Sequence, residues 1–138
     1  MNPNLRAYVE NEDGSGFIVE NNIWTFMINQ SIDNKIRLHD HMIILETNIE
    51  NIMQSTNMYD SNENEIYECD FIQYHDSIYE VIQSPSGTWY IMNKNNAEAL
   101  YRINNDIKII GNSFIDNDLF KHVWDSKDNR NIFSKQSI

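Results

Sequence analysis

Ile52-Met-Gln-Ser-Thr-Asn-Met-Tyr-Asp-Ser-Asn-Glu-Asn-Glu-Ile-Tyr-Glu-Cys-Asp-Phe-Ile72 decides how this 138-residue chain is read. It starts apolar, passes through a polar turn around Asp60 to Asn64, and re-enters as an acidic strand. Asp and Asn favour such a turn because their short side chains accept hydrogen bonds from nearby backbone N–H groups. The stretch also divides the chain. Residues 1–50 carry β-hairpin signals, residues 51–125 carry a series of short alternating segments, and residues 126–138 form a polar tail, loosely basic through Lys127, Arg130 and Lys135. Such a terminal stretch is expected to be mobile.

Toward the C-terminus the hydrophobic period shortens to two. Phe71 to His75, Ile78 to Ile82 and Thr88 to Met92 alternate as half-buried strands do. Asp76-Ser77 and Ser84-Pro-Ser-Gly87 separate them as turns. Leu100 to Ile103 and Ile107 to Ile110 are expected to form a final hairpin, ended by Gly111. Asp116 or Asn117 then caps a short helix in which Leu119, Phe120, Val123 and Trp124 share a face.

Toward the N-terminus, Asn11 to Gly16 has turn chemistry. Phe17 to Val19 and Ile23 to Ile28, joined through Asn21-Asn22, read as a hairpin. Lys35 to Leu38 and Met42 to Leu45 read as strands, and Glu46 to Met53 accommodates a single helical turn. The fold class is therefore mainly β: an N-terminal β-hairpin region, a C-terminal small β-barrel and a short C-terminal helix.

The central stretch resembles the hallmark of the YopX family of phage and prophage proteins, whose usual form is close to Q-Y-T-G-L-x-D-K-N-G-K-x-I-Y-E-G-D-I-V. Gln54, Thr56, Asp60, Asn62, Ile66, Tyr67, Glu68, Asp70 and Ile72 stand where that pattern expects them. Leu5-Arg-Ala-Tyr8 is similar to the family's opening F-R-A-W, and Ile107 to Leu119 to its closing E-V-I-G-N-I-Y-E-N-P-E-L. The resemblance spans roughly residues 5 to 120. It implies an SH3-like barrel and a phage or prophage origin, and brings no established activity. Asn57, Glu63 and Cys69 occupy positions where the family usually has Gly. Asn tolerates positive φ, but Glu and Cys do not readily adopt it, so the turn near Glu63 is expected to have changed shape.

A net charge of −11 with a pI near 4.6 argues against direct binding to nucleic acid, because phosphate affinity draws on clustered Lys and Arg. No apolar run reaches the length of a membrane span and no signal sequence opens the chain, so a cytoplasmic protein is expected. Cys69 is the single cysteine, which excludes an intrachain disulfide. The abundance of Asn and Ile, with few Gly, Pro and Ala, matches coding bias in an A+T-rich genome.

Charge placement carries the functional reading. No Lys or Arg occurs between Leu38 and Asn93, while Asp40, Glu46, Glu50, Asp60, Glu63, Glu65, Glu68, Asp70, Asp76 and Glu80 all lie there. One reading is a solvated acidic surface that aids solubility. The other is a partner-binding surface formed by Asp60, Glu63, Glu65, Glu68, Asp70, Asp76 and Glu80, which attracts a basic, nucleic-acid-binding host protein. In a phage protein such a surface imitates DNA phosphates and inhibits a host defence nuclease such as a CRISPR effector. Tyr67, Tyr74 and Tyr79 are candidates for an aromatic interface. Trp24, Phe26, Trp89, Tyr90, Tyr74 and Tyr79 are candidates for the cores. The alternative is a homo-oligomeric scaffold or small-ligand binder whose acidity only keeps it dissolved.

Enzyme signatures are weak. His39 and His41 would share a strand face as a metal pair, but the spacing names no third ligand, so no metal or cofactor is expected. Cys69 lies between Glu68 and Asp70, which raise a thiol pKa rather than activate it. Glu65, Glu68 and Asp70 offer carboxylates for acid–base chemistry, yet they sit in the stretch that sets the fold. A protein without catalytic activity is the resulting expectation.

Overall fold

A computed structural model describes residues 5–20, 35–40, 43–103, 106–126 and 130. The chain divides into two compact units, Met1–Ser55 and Thr56–Ile138. The fold is mainly β, as the alternating segments predict, and no helix among the described residues is long and apolar enough to cross a membrane.

In the first unit β1 (Leu5–Glu10) pairs antiparallel with β2 (Gly16–Glu20). The predicted turn joins them, with the Asn11 and Gly14 N–H groups donating to the carbonyls of Ser15 and Asn11. Ala7 and Val9 are buried, with Val19 and Ile52 packed against them. β3 (Lys35–Asp40) pairs with β4 (Ile43–Asn48), and a 3-10 turn at Ile49–Asn51 follows. The predicted strands and helical turn are thus present. The expected hairpin through Asn21-Asn22, with Trp24 and Phe26, lies outside the described residues, as does His41. β5 (Ile52–Tyr59) begins in this unit, where Ile52 to Gln54 pair with β1, and continues into the second.

The second unit is built on a five-stranded antiparallel sheet in the order β10-β9-β8-β7-β11. Its strands are β7 (Asp70–Tyr74), β8 (Ser77–Gln83), β9 (Trp89–Met92), β10 (Ala97–Ala99) and β11 (Ile107–Asn112). The short β6 (Glu65–Tyr67) lies between β5 and β7 in sequence. The expected small barrel is therefore a curled half-barrel that keeps two edges, β10 and β11. The predicted last hairpin needs correcting. Leu100–Arg102 is a 3-10 turn with Leu100 fully buried, and β11 pairs with β7 instead, Ile107 opposite Tyr74 and Ile109 opposite Ile72.

Period-two alternation gives this sheet two covered faces. Ile72, Tyr79, Val81 and Ile91 join Ile66, Leu100, Ile103 and Ile107 in one core. Phe71 and Met92 point the other way, where Ile78, Ile82 and Tyr90 pack with helix α1 (Asn117–Trp124) through Val123, Trp124, Leu119 and Phe120. The helical face read from spacing is the one buried. Gly111 lets the helix start come close, because a Cβ there would stand 2.5 Å from the Asp116 carboxylate and 2.8 Å from Leu119.

Three hairpin turns share one build, and one of them carries a side chain where glycine is easiest. In the turns at Asn11–Ser15, Asp60–Asn64 and Ser84–Thr88, the fourth residue donates its N–H to the first residue's carbonyl, and the first donates to the fifth's. The fourth residue has positive φ each time: Gly14 at 90°, Glu63 at 65° and Gly87 at 92°. A three-residue loop needs this left-handed position to restore the strand twist. Asn57 at 59° and Cys69 at 71° are also left-handed. The expectation of a changed turn is thus corrected: all three substituted positions keep the backbone that glycine would adopt. A left-handed non-glycine residue costs about 1 kcal/mol. Glu63→Gly is expected to raise stability by about 0.5 kcal/mol in urea unfolding, the relieved strain less the larger unfolded-state entropy of Gly. A midpoint unchanged or lowered would show that Glu63 is not strained. Gly87→Ala should move the other way.

Candidate functional site

The seven carboxylates proposed as one surface separate into two groups. Asp60, Asp70 and Glu80 have relative exposures of 6%, 1% and 0%. They belong to the interior, and placing them on a partner-binding surface is corrected. Glu63 and Asp76 are exposed, and Glu65 and Glu68 are half-buried.

Each buried carboxylate has at least one partner distant in sequence. Asp60 braces its turn: Oδ1 accepts the N–H groups of Asn62 at 2.9 Å and Asn64 at 2.8 Å, and Oδ2 accepts that of Ile109 at 3.1 Å. Burial pushes its pKa up, but the N–H groups of Ile109, Asn64 and Asn62 outweigh that and hold it below the ordinary value. Asp70 Oδ2 accepts the Tyr67 N–H at 2.8 Å, and Oδ1 accepts Nδ2 of Asn112 at 3.2 Å. This closes the β6–β7 connection around Cys69.

Glu80 sits on the helix-covered sheet face, where an ion needs full compensation. Trp124 Nε1 donates to Oε1 at 2.8 Å, and Arg130 Nε donates to Oε1 and Oε2 at 2.9 and 3.0 Å. Arg130 Nη2 makes a further charge-assisted bond to Oε2. Arg130 belongs to the stretch expected to be a mobile tail, yet its half-buried guanidinium is held on the buried Glu80. Burial lowers its pKa, but the Glu80 carboxylate outweighs this and raises it above the ordinary arginine value. The same Nη2 reaches Cys69 Sγ at 3.5 Å. Burial, then the Glu80 charge, pushes the Cys69 thiol up to about 12, so it is a thiol and no nucleophile at neutral pH.

The exposed carboxylates do not share one face. The Ser61 N–H donates to the Ile107 carbonyl, and Ile107 pairs with Tyr74, so the Asp60–Asn64 turn sits beside the His75-Asp76 loop. Glu63, Asp76 and the exposed Asp106 are brought to that end of the sheet. Glu68 stands at the other end of β7, where Ser113 N–H donates to the Cys69 carbonyl. Five residues at about 3.3 Å each separate the two ends by roughly 15 Å. That exceeds the screening length of about 8 Å at physiological salt, so the two groups act as separate charges.

The aromatic candidates also divide. Tyr67 and Tyr79 are buried, at 3% and 7% exposure, which corrects both as interface candidates and bears out Tyr79 as a core residue. Tyr74 is half-buried with its ring 4.1 Å from that of His75. Sequence reasoning did not mark Tyr59, 59% exposed, and it missed the role of Arg130. A signal for the Glu80 site was present: a lone carboxylate on the same strand face as Ile78 and Ile82, beneath an apolar helix, requires a partner. Among the described residues no cluster of three or more His, Cys, Asp or Glu is arranged to hold a metal ion.

Comparisons with known proteins complete the picture. No curated protein and no solved structure matches the chain. The family model described as "YopX protein" matches residues 5–121, which include the braced Asp60 turn, the Asp70 connection and the eleven strands of the described residues. The chain belongs to the YopX family.

Proposed function

We propose that this chain is a non-catalytic, phage-associated accessory protein that docks onto a basic host protein through its exposed carboxylates. The observation that carries the reading is the charge of the second unit: from Thr56 to Ile138 there are thirteen Asp and Glu against seven Lys and Arg. The exposed part of that excess includes Glu63 and Asp76 on tight hairpin connections, the first braced by Asp60. A rigid connection loses little entropy on docking, which favours recognition. The sharpest form of the proposal is inhibition of a host nucleic-acid-handling defence enzyme, such as a CRISPR nuclease, by carboxylates standing in for DNA phosphates. The separation of the two acidic ends favours an occupant with a channel or groove that meets both.

DNA cleavage by a purified CRISPR nuclease, titrated with this protein at low and at moderate salt, tests the reading. Inhibition should weaken steeply as salt rises. Replacing Glu63, Glu65, Glu68 and Asp76 together by Gln or Asn should weaken it at least tenfold, with the fold of the variant checked by circular dichroism and urea unfolding. Inhibition that survives these changes, or none at any salt, would remove the mimicry proposal.

A further inference from the structure

We infer that a cavity in the second unit binds a small zwitterion, a free amino acid with an aromatic side chain. The inference is independent of the charge-mimicry reading and rests on a different part of the surface. The cavity has a volume of about 460 Å³, within the range of small-molecule sites. Tyr74, Tyr90 and Tyr101 line it, together with Glu98, Arg102 and Ile103. Aromatic walls with a few charged groups are the composition that holds a ring-bearing ligand and fixes its orientation.

The charged groups decide the ligand class. Glu98 and Arg102 are both exposed and line the same cavity, yet no ion pair joins them to each other or to any other described residue. The backbone holds each in place. Glu98 lies on β10 opposite Ile91, and Arg102 lies on the 3-10 turn that the fully buried Leu100 pins to the core. The Arg102 guanidinium is 5.6 Å from the centre of the Tyr101 ring, a cation–π distance that steadies it. A ligand with a carboxylate and an ammonium on one carbon answers both charges. Its carboxylate accepts from the guanidinium of Arg102, and its ammonium donates to Glu98. An aromatic side chain then packs against the tyrosines, of which Tyr101 is 61% exposed. Net charge sets this class apart from its competitors. At −11, the field of the chain repels an anion such as a nucleotide or an aromatic acid. A simple amine leaves Arg102 without a partner, and it meets exposed carboxylates elsewhere, Glu63 and Asp76 among them. A zwitterion is neutral overall and uses both groups.

Calorimetric titration of the full chain with L-tryptophan, N-acetyl-L-tryptophan and tryptamine tests this, with amide chemical shifts locating the site. L-tryptophan should bind one per chain with a Kd below about 1 mM and shift the amides of Ala97 to Ile103. N-acetyl-L-tryptophan lacks the ammonium and tryptamine lacks the carboxylate, so each should bind at least threefold more weakly. Glu98→Gln should abolish the preference over N-acetyl-L-tryptophan and keep that over tryptamine, and Arg102→Gln should do the reverse. A merely structural role would not give this crossed pattern. The three ligands compared on the wild-type protein decide the matter even where a variant fails to fold. No saturable binding of L-tryptophan would overturn the inference. So would equal affinity for all three ligands, shifts confined to other amides, or variants that weaken all three alike.

Discussion

Arg130→Met is expected to destabilise the protein by about 3 kcal/mol, the low end of the range for orphaning a buried ion. The reason is the asymmetry of the pair. The Glu80 side chain is 0% exposed and, among the described residues, keeps only Trp124 once the guanidinium is gone, whereas the Arg130 side chain is 34% exposed and can hydrate on its own. Glu80→Gln should therefore cost less, about 1 kcal/mol, because the amide oxygen still accepts from Trp124 Nε1 and the released Arg130 turns to water. Combining the two should recover most of the loss, since a neutral amide beside Met leaves no buried charge. That non-additivity is the diagnostic part, for residues in direct contact couple and distant ones do not. Thermal or urea unfolding of wild type, both single variants and the double variant completes the cycle. An Arg130→Met protein within about 0.5 kcal/mol of wild type would show that the arginine does not compensate Glu80.

The same site shows what the sequence could and could not reveal. β7, β8 and β9 were legible because Phe71, Ile78, Ile82 and Met92 face one way and Ile72, Tyr79, Val81 and Ile91 the other. The helix was legible because Leu119, Phe120, Val123 and Trp124 repeat at helical spacing. Strand pairing was not. Ile107 to Ile110 follows Leu100 to Ile103 closely enough to suggest a hairpin, yet the edge it completes belongs to β7, more than thirty residues earlier. Strand composition does not encode a non-local partner.

The acidic candidates failed for a related reason. Adjacency in sequence was read as adjacency on a surface, but Asp70 is answered from Asn112 and Glu80 from Arg130. A cation outside the acidic span neutralises the residue at its heart. The glycine positions show local propensity losing to context. Glu63 and Cys69 disfavour positive φ, but Asp60 holds the first turn through three N–H groups. Cys69 donates its N–H to Val81 and accepts one from Ser113. Several such bonds, each contributing about 1 kcal/mol or more, exceed a strain of about 1 kcal/mol.

That comparison makes Asp60 the second residue on which the fold depends. Asp60→Asn should cost about 2–3 kcal/mol at neutral pH, because one oxygen becomes an NH2 group facing a backbone N–H that it cannot accept. Whichever way the amide turns, either Ile109 on β11 or Asn62 and Asn64 in the turn lose their acceptor. The effect also has a pH signature. The Asp60 pKa is held below its ordinary value in the folded state, so the carboxylate favours folding above the unfolded pKa. This stabilisation is complete above about pH 4 and is lost as pH falls through the folded value. The stability gap between wild type and Asp60→Asn should therefore be widest near pH 7 and narrow below about pH 4, as the wild-type side chain takes up its proton. Urea unfolding of both proteins at pH 7 and pH 3 measures it. An unchanged gap would place the loss in packing, and no gap at pH 7 would mean that β11 and the turn are held together by something other than this carboxylate.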